Sequence, residues 1–210
     1  MSILKVVKLK RKIDDRMLWK GVSFELSAGD IMALKGASGS GKTVMLRTLA
    51  GLEPIQGGNI YYNDKLQSDY PMPLYRSKII YLQQRPSFSA GNVLDSIKKP
   101  FEFKIHADKT YNEDLIINYL NILGRKADFL KKETNNLSGG EEQIVALVRS
   151  LQLNPQLILL DEATASLDEE TSIKLEKLIL EWLKDEKRAC IWVSHDLKQL
   201  ERIATKEMSL

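Results

Sequence analysis

Three short apolar runs occur along the chain, at residues 31–34, 157–160 and 191–193. None contains a polar side chain, a pattern typical of strands that are buried on both faces of a parallel sheet. Residues 3–9 and 22–26 instead predict short strands, and in the second of these apolar and polar positions alternate. After a turn at residues 28–30 and a glycine pair at 57 and 58, residues 59–62 predict one more strand.

Helical spacing of apolar side chains fills most of the intervening sequence. Residues 44–50 predict a helix that ends at Gly51, and residues 141–152 and 169–184 predict two longer helices. The segment 92–135 is dense in charges and predicts a helical lobe, in which one helix begins at Asn112 and ends at Gly124. The helix predicted at 169–184 carries the apolar residues Ile173, Leu175, Leu178, Ile179 and Trp182. Strands that alternate with helices favour an α/β fold.

Composition narrows the class of protein. With 43% hydrophobic and 28% charged residues, 12 Gly, 6 Pro and one Cys, the chain is not collagen-like, disordered or disulfide-rich. The lone Cys190 lies in an apolar run, which indicates a small core residue in a reducing compartment. The net charge of +3 is too small to indicate nucleic-acid binding. No run of 18 apolar residues and no secretory signal occurs, so we expect no membrane-spanning segment.

The first candidate for chemistry directly follows the strand predicted at 31–34. Residues 36–43 fit the pattern G-x-x-x-x-G-K-[ST] at every fixed position: Gly36, Ala37, Ser38, Gly39, Ser40, Gly41, Lys42 and Thr43. Glycines in such a loop let backbone amides surround phosphate oxygens, and the following helix adds its positive N-terminal dipole. Lys42 would reach the β- and γ-phosphates, and the Thr43 hydroxyl would bind Mg²⁺. A Gly/Ser-rich turn can match by chance, but the predicted strand before it and helix after it favour a phosphate-binding loop (P-loop).

Two acidic residues, Asp161 and Glu162, follow the strand predicted at 157–160. An acid at the end of a buried strand can face the metal of a neighbouring P-loop, and a second acid beside it can polarise a water. We therefore expect Asp161 to hold Mg²⁺ through water and Glu162 to act as the base. Without the P-loop upstream, the same pair would more simply begin a solvated helix.

A second anion site is predicted where the helix at 141–152 begins. Ser138, Gly139 and Gly140 offer a hydroxyl and free backbone amides at a helix N-terminus. We call such a group of phosphate-binding donors a cradle. One nucleotide needs only one cradle within a chain. The second cradle therefore suggests that each nucleotide is held between two chains.

These motifs, in this order, resemble those of the ATP-binding subunits of ABC transporters over nearly the whole chain. The resemblance implies that residues 137–141 are the family signature, with Glu141 in place of the commoner glutamine. It also implies that Gln84 is the Q-loop glutamine that contacts Mg²⁺ and senses a membrane subunit, although Gln83 is an adjacent alternative. Asp168 would belong to the D-loop at a dimer interface, and His195 would be the switch histidine that contacts the γ-phosphate.

The fold that the resemblance implies is a P-loop NTPase core, with helices on a mixed, largely parallel sheet, an antiparallel β subdomain and an inserted helical subdomain. We expect residues 1–210 to form a single ABC ATPase domain with the helical subdomain at about 92–135. Three positions depart from the family pattern: Ile144 replaces an arginine, Ala163 replaces a proline, and Arg11 stands near the usual place of an aromatic ring that stacks on adenine. Arg11 could stack through its guanidinium, or adenine stacking could be weak.

The resemblance further implies a cycle. Two chains would form a head-to-tail homodimer around two Mg·ATP, and hydrolysis by Glu162 with His195 would open it. The Gln84 loop and the helical lobe would pass that motion to a separate membrane-spanning subunit, with Phe88, Val93 and Phe101 as candidate groove residues. The protein would then be cytoplasmic, peripheral on the inner face of the cell membrane, with no nucleic-acid partner.

Other functional hypotheses fit the sequence less well or concern only the transported substrate. A soluble ABC-type ATPase of DNA repair carries a long coiled coil and one of translation carries two cassettes, whereas here 96 positions separate Lys42 from Ser138, without a heptad run, and there is one cassette. An inactive nucleotide sensor would need a changed Glu162 or His195. The short chain and its signature resemble small bacterial cassettes for metal or iron export, but lipoprotein-release and macrolide-export cassettes share the glutamate. With two His and one Cys, a transition-metal site is not expected.

Overall fold

The structure, a computed structural model, describes residues 2–185 and 187–210. The strands are β1 Ser2–Ile13, β2 Arg16–Ser27, β3 Ile31–Lys35, β4 Gly57–Tyr62, β5 Lys65–Leu66, β6 Ile79–Leu82, β7 Leu157–Asp161, β8 Ala189–Val193 and β9 Lys206–Ser209. The α-helices are α1 Lys42–Leu49, α2 Met72–Lys78, α3 Val93–Lys98, α4 Glu113–Ile122, α5 Gly139–Leu151, α6 Glu169–Trp182 and α7 Leu197–Ile203. Among these described residues, no helix has the length and apolarity needed to cross a lipid bilayer.

The strands form two sheets. Five of them make a sheet in the order β6-β7-β8-β3-β9, in which every neighbouring pair is parallel. The three apolar runs of the sequence are the adjacent strands β7, β8 and β3 at its centre. The other four strands form an antiparallel sheet in the order β2-β1-β4-β5. The expected fold, a largely parallel sheet with an antiparallel β subdomain and a helical insertion, is confirmed.

The parallel sheet is buried on both faces. Alternate residues such as Ile158 and Leu160 pack into a cluster with helices α3 to α7. Their neighbours Leu157 and Leu159 pack into a second cluster with α1 and the antiparallel sheet. Burial on both sides explains why the runs at 31–34, 157–160 and 191–193 carry no polar side chain. Cys190 is fully buried in the first cluster, as expected.

The antiparallel hairpin is longer than predicted, because charged side chains conceal its alternation. Lys10 and Lys12 face solvent within β1, so the apolar pattern stops early although the strand continues. A β-bulge at Lys8, whose φ is 51°, shifts the alternation by one residue. Leu4 and Val6 face inward before the bulge, and Leu9 and Arg11 face inward after it. Arg11 therefore points away from solvent.

Two helical segments have features that apolar spacing alone does not reveal. Ile173 is 36% exposed and lies off the buried face of α6, two residues or about 200° of helical rotation from the buried Thr171. The 92–135 segment contains α3 and α4 together with 3-10 turns at 99–102, 104–106 and 127–131. The helix predicted from Asn112 is present as α4, and the Asn112 side chain accepts the Leu115 N–H as its N-cap.

Candidate functional site

Residues 36–41 form the loop between β3 and α1, and Lys42 and Thr43 are the first residues of the helix. The glycines of the loop take positive φ angles, 152° at Gly36, 75° at Gly39 and 96° at Gly41, which disfavour any side chain. Gly41 is the N-cap residue of α1, and the first turn of that helix contains no acidic residue that would offset its dipole. The Lys42 ammonium crosses the loop and donates hydrogen bonds to the carbonyl oxygens of Gly36 (2.8 Å) and Ala37 (3.1 Å). The loop therefore has the amides and the positive charge of a phosphate site.

A cavity of about 730 Å³ opens beside this loop, a volume typical of small-molecule sites. The predicted residues that line it are Ser38, Gly39, Gly41, Lys42, Thr43, Glu162 and His195. Gly36, Ala37 and Ser40 shape the loop instead of lining the cavity. A Cβ atom at Gly36 would lie 2.5 Å from the Ser40 hydroxyl oxygen, so this position has no room for a side chain.

The Glu162 carboxylate contacts two residues that are distant from it in the sequence. Its Oε2 accepts a hydrogen bond from Gln84 Nε2 at 2.5 Å, and its Oε1 lies 2.8 Å from His195 Nε2. Glu162 has a φ of 54°, a conformation that is strained for a residue with a side chain and that concentrates at functional sites. The structure thus brings Gln84, Glu162 and His195 together beside the phosphate loop, and it places Gln84 rather than Gln83 in this cluster.

Asp161 ends β7 and is only 2% exposed. Its Oδ2 accepts a hydrogen bond of 2.8 Å from the Tyr81 hydroxyl on the neighbouring strand β6. Burial, and then this hydrogen bond to the carboxylate, raise the pKa of Tyr81, so the phenol remains a protonated donor. Asp161 does not line the cavity, although the next residue, Glu162, does.

The donor set fits Mg²⁺ better than a transition metal. Thr43 offers a hydroxyl oxygen, Asp161 a carboxylate, and Gln84 an amide oxygen, since only its amide nitrogen is engaged by Glu162. Mg²⁺ prefers such oxygen ligands and is usually held by one or two carboxylates together with phosphates. Within residues 2–185 and 187–210, no group of three or more His, Cys, Asp or Glu side chains could hold a metal by itself.

The second predicted anion site lies at the N-terminus of α5, away from this chain's own phosphate loop. Ser138 is the N-cap residue and forms a capping box with Glu141, whose carboxylate also binds the Lys132 ammonium at 2.8 Å. Partial burial raises the pKa of Glu141, but Lys132 and Ser138 together outweigh this effect and hold it below its usual value. Gly139 and Gly140 follow in the first turn. None of the three cradle residues lines the 730 Å³ cavity.

Asp168 lies outside the cavity and caps α6. Its carboxylate accepts hydrogen bonds from the backbone N–H (2.8 Å) and the hydroxyl (2.9 Å) of Thr171, and these bonds lower its pKa. The segment that leads to Asp168 packs against α5, since a Cβ atom at Gly140 would lie 2.8 Å from the Ser166 carbonyl oxygen. The predicted signature and the predicted D-loop are therefore neighbours within one chain.

The structure settles the orientation of Arg11. The residue is 9% exposed, and its guanidinium donates to the Pro54 carbonyl oxygen and to Glu53, both at 2.9 Å. It does not line the cavity, so it is not an adenine-stacking residue. The hairpin tip supplies Ile13 and Arg16 to the cavity instead.

Three residues near the site carried no predicted role. Tyr81 binds Asp161, Arg16 lines the cavity, and the buried Gln143 donates its side-chain amide to the backbone carbonyl oxygen of Gln84. Gln143 lies on α5, so it connects the signature helix to the Q-loop. The sequence contained no periodic or motif signal for these contacts, because each depends on the packing of distant elements.

The three candidate groove residues differ in their burial and surroundings. Val93 is fully buried in the core and cannot line a groove, which corrects that prediction. Phe88 is half-buried and stacks under the Arg149 guanidinium at 4.9 Å from its ring centroid. Beside this pair a cavity of about 370 Å³ is lined mainly by residues that follow Phe88 and by α3, among them Ser89 and Lys98. Phe101 is half-buried and does not line this cavity.

Comparison with curated proteins places these features in a family. The model of the family described as ABC transporter matches residues 19–165. The chain is 32% identical over 96% of its length to the lipoprotein-releasing system ATP-binding protein LolD of Buchnera aphidicola, covering 91% of that protein. It is 31% identical over 90% of its length to the putative hemin import ATP-binding protein HrtA of Staphylococcus aureus, covering 86%. It is 27% identical over 89% of its length to the probable iron export ATP-binding protein FetA of Escherichia coli, covering 81%.

Solved structures share the fold. A bacterial Atm1-family ABC exporter with ATP bound superposes with a TM-score of 0.86 and 22% identity, over all of this chain and 37% of that one. A dimeric ATP-binding cassette in a post-hydrolysis state with ADP and Pi has a TM-score of 0.85 and 24% identity, over 99% of this chain and 94% of that one. The family match covers most of the chain and includes the phosphate loop, Gln84, the signature and both acids. This chain belongs to the ABC transporter family, as an ATP-binding and ATP-hydrolysing subunit.

Proposed function

We propose that Glu162 is the general base of ATP hydrolysis and that His195 and Gln84 set its position. The observation that carries this assignment is the pair of contacts to the Glu162 carboxylate, at 2.5 Å from Gln84 and 2.8 Å from His195, at the wall of the cavity beside the phosphate loop. A base must lie within hydrogen-bond reach of the water that it orients, and contacts on both carboxylate oxygens restrict where this group can point. His195 also lines the cavity, so it can contact the γ-phosphate.

Residues of the phosphate loop would hold the nucleotide. The amides of residues 36–43 surround the phosphates, and Lys42 exchanges its loop carbonyl partners for phosphate oxygens. Thr43, Asp161 and Gln84 would hold Mg²⁺, whose chemistry is to neutralise charge on the phosphoryl oxygens. Ile13 and Arg16 at the hairpin tip line the remaining part of the cavity and would face the ribose and base.

The active unit would be a head-to-tail homodimer. Ser138, Gly139 and Gly140 lie outside their own chain's cavity, yet they present a hydroxyl and helix-terminal amides, with the Ser138 and Gly139 positions exposed. A second copy would bring its nucleotide to this cradle. The exposed Asp168 caps α6 beside the same surface, which fits a place at the interface rather than a direct nucleotide contact. The similar cassette with ADP and Pi was solved as a dimer.

A separate membrane-spanning subunit would be the partner that uses this energy. Gln84 is tied to the base through Glu162 and to α5 through Gln143, so a displacement of the Q-loop alters the active site directly. The 370 Å³ cavity beside Phe88 and Arg149 lies just after the Q-loop and is the proposed docking groove. The relatives are described as parts of iron export, lipoprotein release and hemin import systems, so the cargo would be chosen by the partner. The chain would then lie on the cytoplasmic face of the membrane through this subunit.

We propose a single-domain organisation for this chain. Residues 1–210 would act as one ABC ATPase domain, with about 92–135 as the lobe that carries the docking groove and leads to the signature. The packing of α3 and α4 on α5 within one hydrophobic cluster supports this unit.

Glu162→Gln tests the assigned base. The amide keeps the shape of the side chain but cannot accept a proton, so kcat should fall by at least about 10²-fold while ATP binding remains. Glu201→Gln, the same change at an exposed position of α7, is the matched control and should retain wild-type turnover. The measurement is phosphate release under saturating Mg·ATP, with ATP affinity measured separately. Near wild-type turnover in Glu162→Gln would contradict the proposed role.

A further inference from the structure

The hydrogen bond between Tyr81 and Asp161 follows from strand register. Tyr81 of β6 pairs with Leu159 of β7 in the parallel sheet, two residues before Asp161 on the same face. Two residues of a strand span about 6.6 Å, which is close to the length of a tyrosine side chain. The phenol thus extends along the sheet and places its hydroxyl 2.8 Å from Asp161 Oδ2.

The two oxygens of the Asp161 carboxylate have different surroundings. Oδ2 accepts the Tyr81 hydroxyl, whereas Oδ1 receives no side-chain hydrogen bond from the described residues, 2–185 and 187–210. The residue is only 2% exposed, and because Oδ1 is not among the fully buried polar atoms without a partner, that small exposure includes Oδ1. A buried carboxylate with a single protein donor is therefore oriented by that donor.

We propose that Tyr81 is a positioning residue for metal binding: its hydroxyl occupies Asp161 Oδ2 and so presents Oδ1 to the Mg²⁺ that accompanies ATP. This inference rests on the proposed role of Asp161 as the magnesium acid. Groups that hydrogen-bond to a metal ligand fix its orientation, and their removal typically weakens metal binding 10–100-fold. Because Tyr81 touches neither the nucleotide cavity nor Glu162, its effect is on metal affinity and not on the base.

The same strand end also leads to Gln84. Tyr81 binds Asp161, the last residue of β7, and Gln84, three residues after Tyr81, binds Glu162, which directly follows Asp161. These two hydrogen bonds have separate tasks: the first orients the metal ligand, and the second holds the base. Removal of the Tyr81 hydroxyl should therefore raise the Mg²⁺ requirement while kcat at saturating Mg²⁺ stays within about threefold of wild type.

Tyr81→Phe tests the proposal, because it removes one oxygen atom and keeps the ring. The direct readout is binding of Mn²⁺, a spectroscopic substitute for Mg²⁺, by electron paramagnetic resonance in the presence of ADP, which requires no turnover. We expect about tenfold weaker Mn²⁺ binding, a similar increase in the Mg²⁺ concentration for half-maximal ATPase activity, and unchanged ADP affinity without metal.

Tyr70→Phe is the matched control. It also loses a 2.8 Å hydrogen bond from a partly buried phenol, to the Tyr62 carbonyl oxygen, but far from the site. The control should bind Mn²⁺·ADP as the wild type does, and similar thermal midpoints of the two variants would show that stability is not the cause. Asp161→Asn should weaken Mn²⁺ binding more than Tyr81→Phe.

The outcomes separate the two assignments. Wild-type Mn²⁺ affinity in Tyr81→Phe, with weakened binding in Asp161→Asn, would overturn the role of Tyr81 and leave the proposed metal site intact. Wild-type affinity in both variants would overturn the assignment of Asp161 itself. Equal weakening in Tyr81→Phe and Tyr70→Phe would mean that the effect is general destabilisation, which also overturns the inference.

Discussion

Gly140→Ala should destabilise the protein, whereas the same change at the adjacent Gly139 should not. Both glycines lie in the first turn of α5, and neither has a positive φ, so alanine fits the backbone at both. The Cβ atom at 140 would lie 2.8 Å from the Ser166 carbonyl oxygen and 3.0 Å from a Leu167 methyl group. At 139 the nearest atoms, both of the Ser166 side chain, lie at 3.4 Å, an ordinary contact.

The two effects can be given magnitudes. Gly→Ala at a compatible helical position stabilises by about 0.4–1 kcal/mol, because the unfolded chain loses freedom. At position 140 the contact is roughly 0.5 Å shorter than the closest favourable C···O approach, and such overpacking typically costs about 1–3 kcal/mol. We therefore expect Gly140→Ala to lose about 1–2 kcal/mol of unfolding free energy and Gly139→Ala to gain up to about 1 kcal/mol.

Urea denaturation of the two variants and the wild type measures this contrast. The m-values should agree, so that the shift in midpoint reports stability alone. The experiment is performed without nucleotide, which separates packing of the signature on the D-loop from any role in ATP binding. If Gly140→Ala were as stable as Gly139→Ala, the signature helix would not press on the Ser166 backbone, and the inferred contact between these two motifs would be wrong.

Two further predictions concern groups outside the catalytic cluster. Burial, together with the charges of Lys109 and Lys78, lowers the pKa of His106 from 6.5. Below about pH 6.5 the unfolded chain therefore binds a proton that the folded chain does not. The free energy of unfolding should fall as the pH drops below this value, by at most about 1.4 kcal/mol per pH unit. Urea midpoints between pH 7.5 and 5.5 should lose this slope in His106→Gln, and an unchanged slope would exclude His106 as its source. Arg11→Ala should cost about 1–3 kcal/mol, because the Pro54 carbonyl oxygen loses its donor and Glu53 keeps only Arg47, while the KM for ATP stays within twofold. A large increase in KM with unchanged stability would instead place Arg11 in the nucleotide site.

Local patterns in the sequence were enough to predict the central sheet and the phosphate loop. The strands β3, β7 and β8 are buried on both faces, so each contains an apolar run that is easy to recognise. The phosphate loop needs glycine at positions with positive φ, so its chemistry is visible as a short motif. Its neighbours Glu162 and His195 follow buried strands, and the parallel arrangement of β7 and β8 brings those strand ends together.

The features that the sequence did not predict depend on packing between elements that are distant in sequence. The orientation of Arg11 depends on the bulge at Lys8, which in turn fits Gly58 of β4, where a Cβ atom would lie 2.4 Å from the Lys8 carbonyl oxygen. The Tyr81 contact depends on the register of β6 against β7. The exposure of Ile173 depends on which side of α6 meets its neighbours. None of these relations leaves a periodic or spacing signal in the amino-acid sequence.

The solution mass of Glu162→Gln tests the central claim, that two chains hold ATP between the phosphate loop of one and the Ser138 cradle of the other. Light scattering would be measured with Mg·ATP and then with Mg·ADP. We expect twice the chain mass of 23.9 kDa with Mg·ATP and the mass of a single chain with Mg·ADP. Adding Ser138→Arg should prevent the dimer. A single-chain mass with saturating Mg·ATP, or a dimer that survives Ser138→Arg, would contradict this claim.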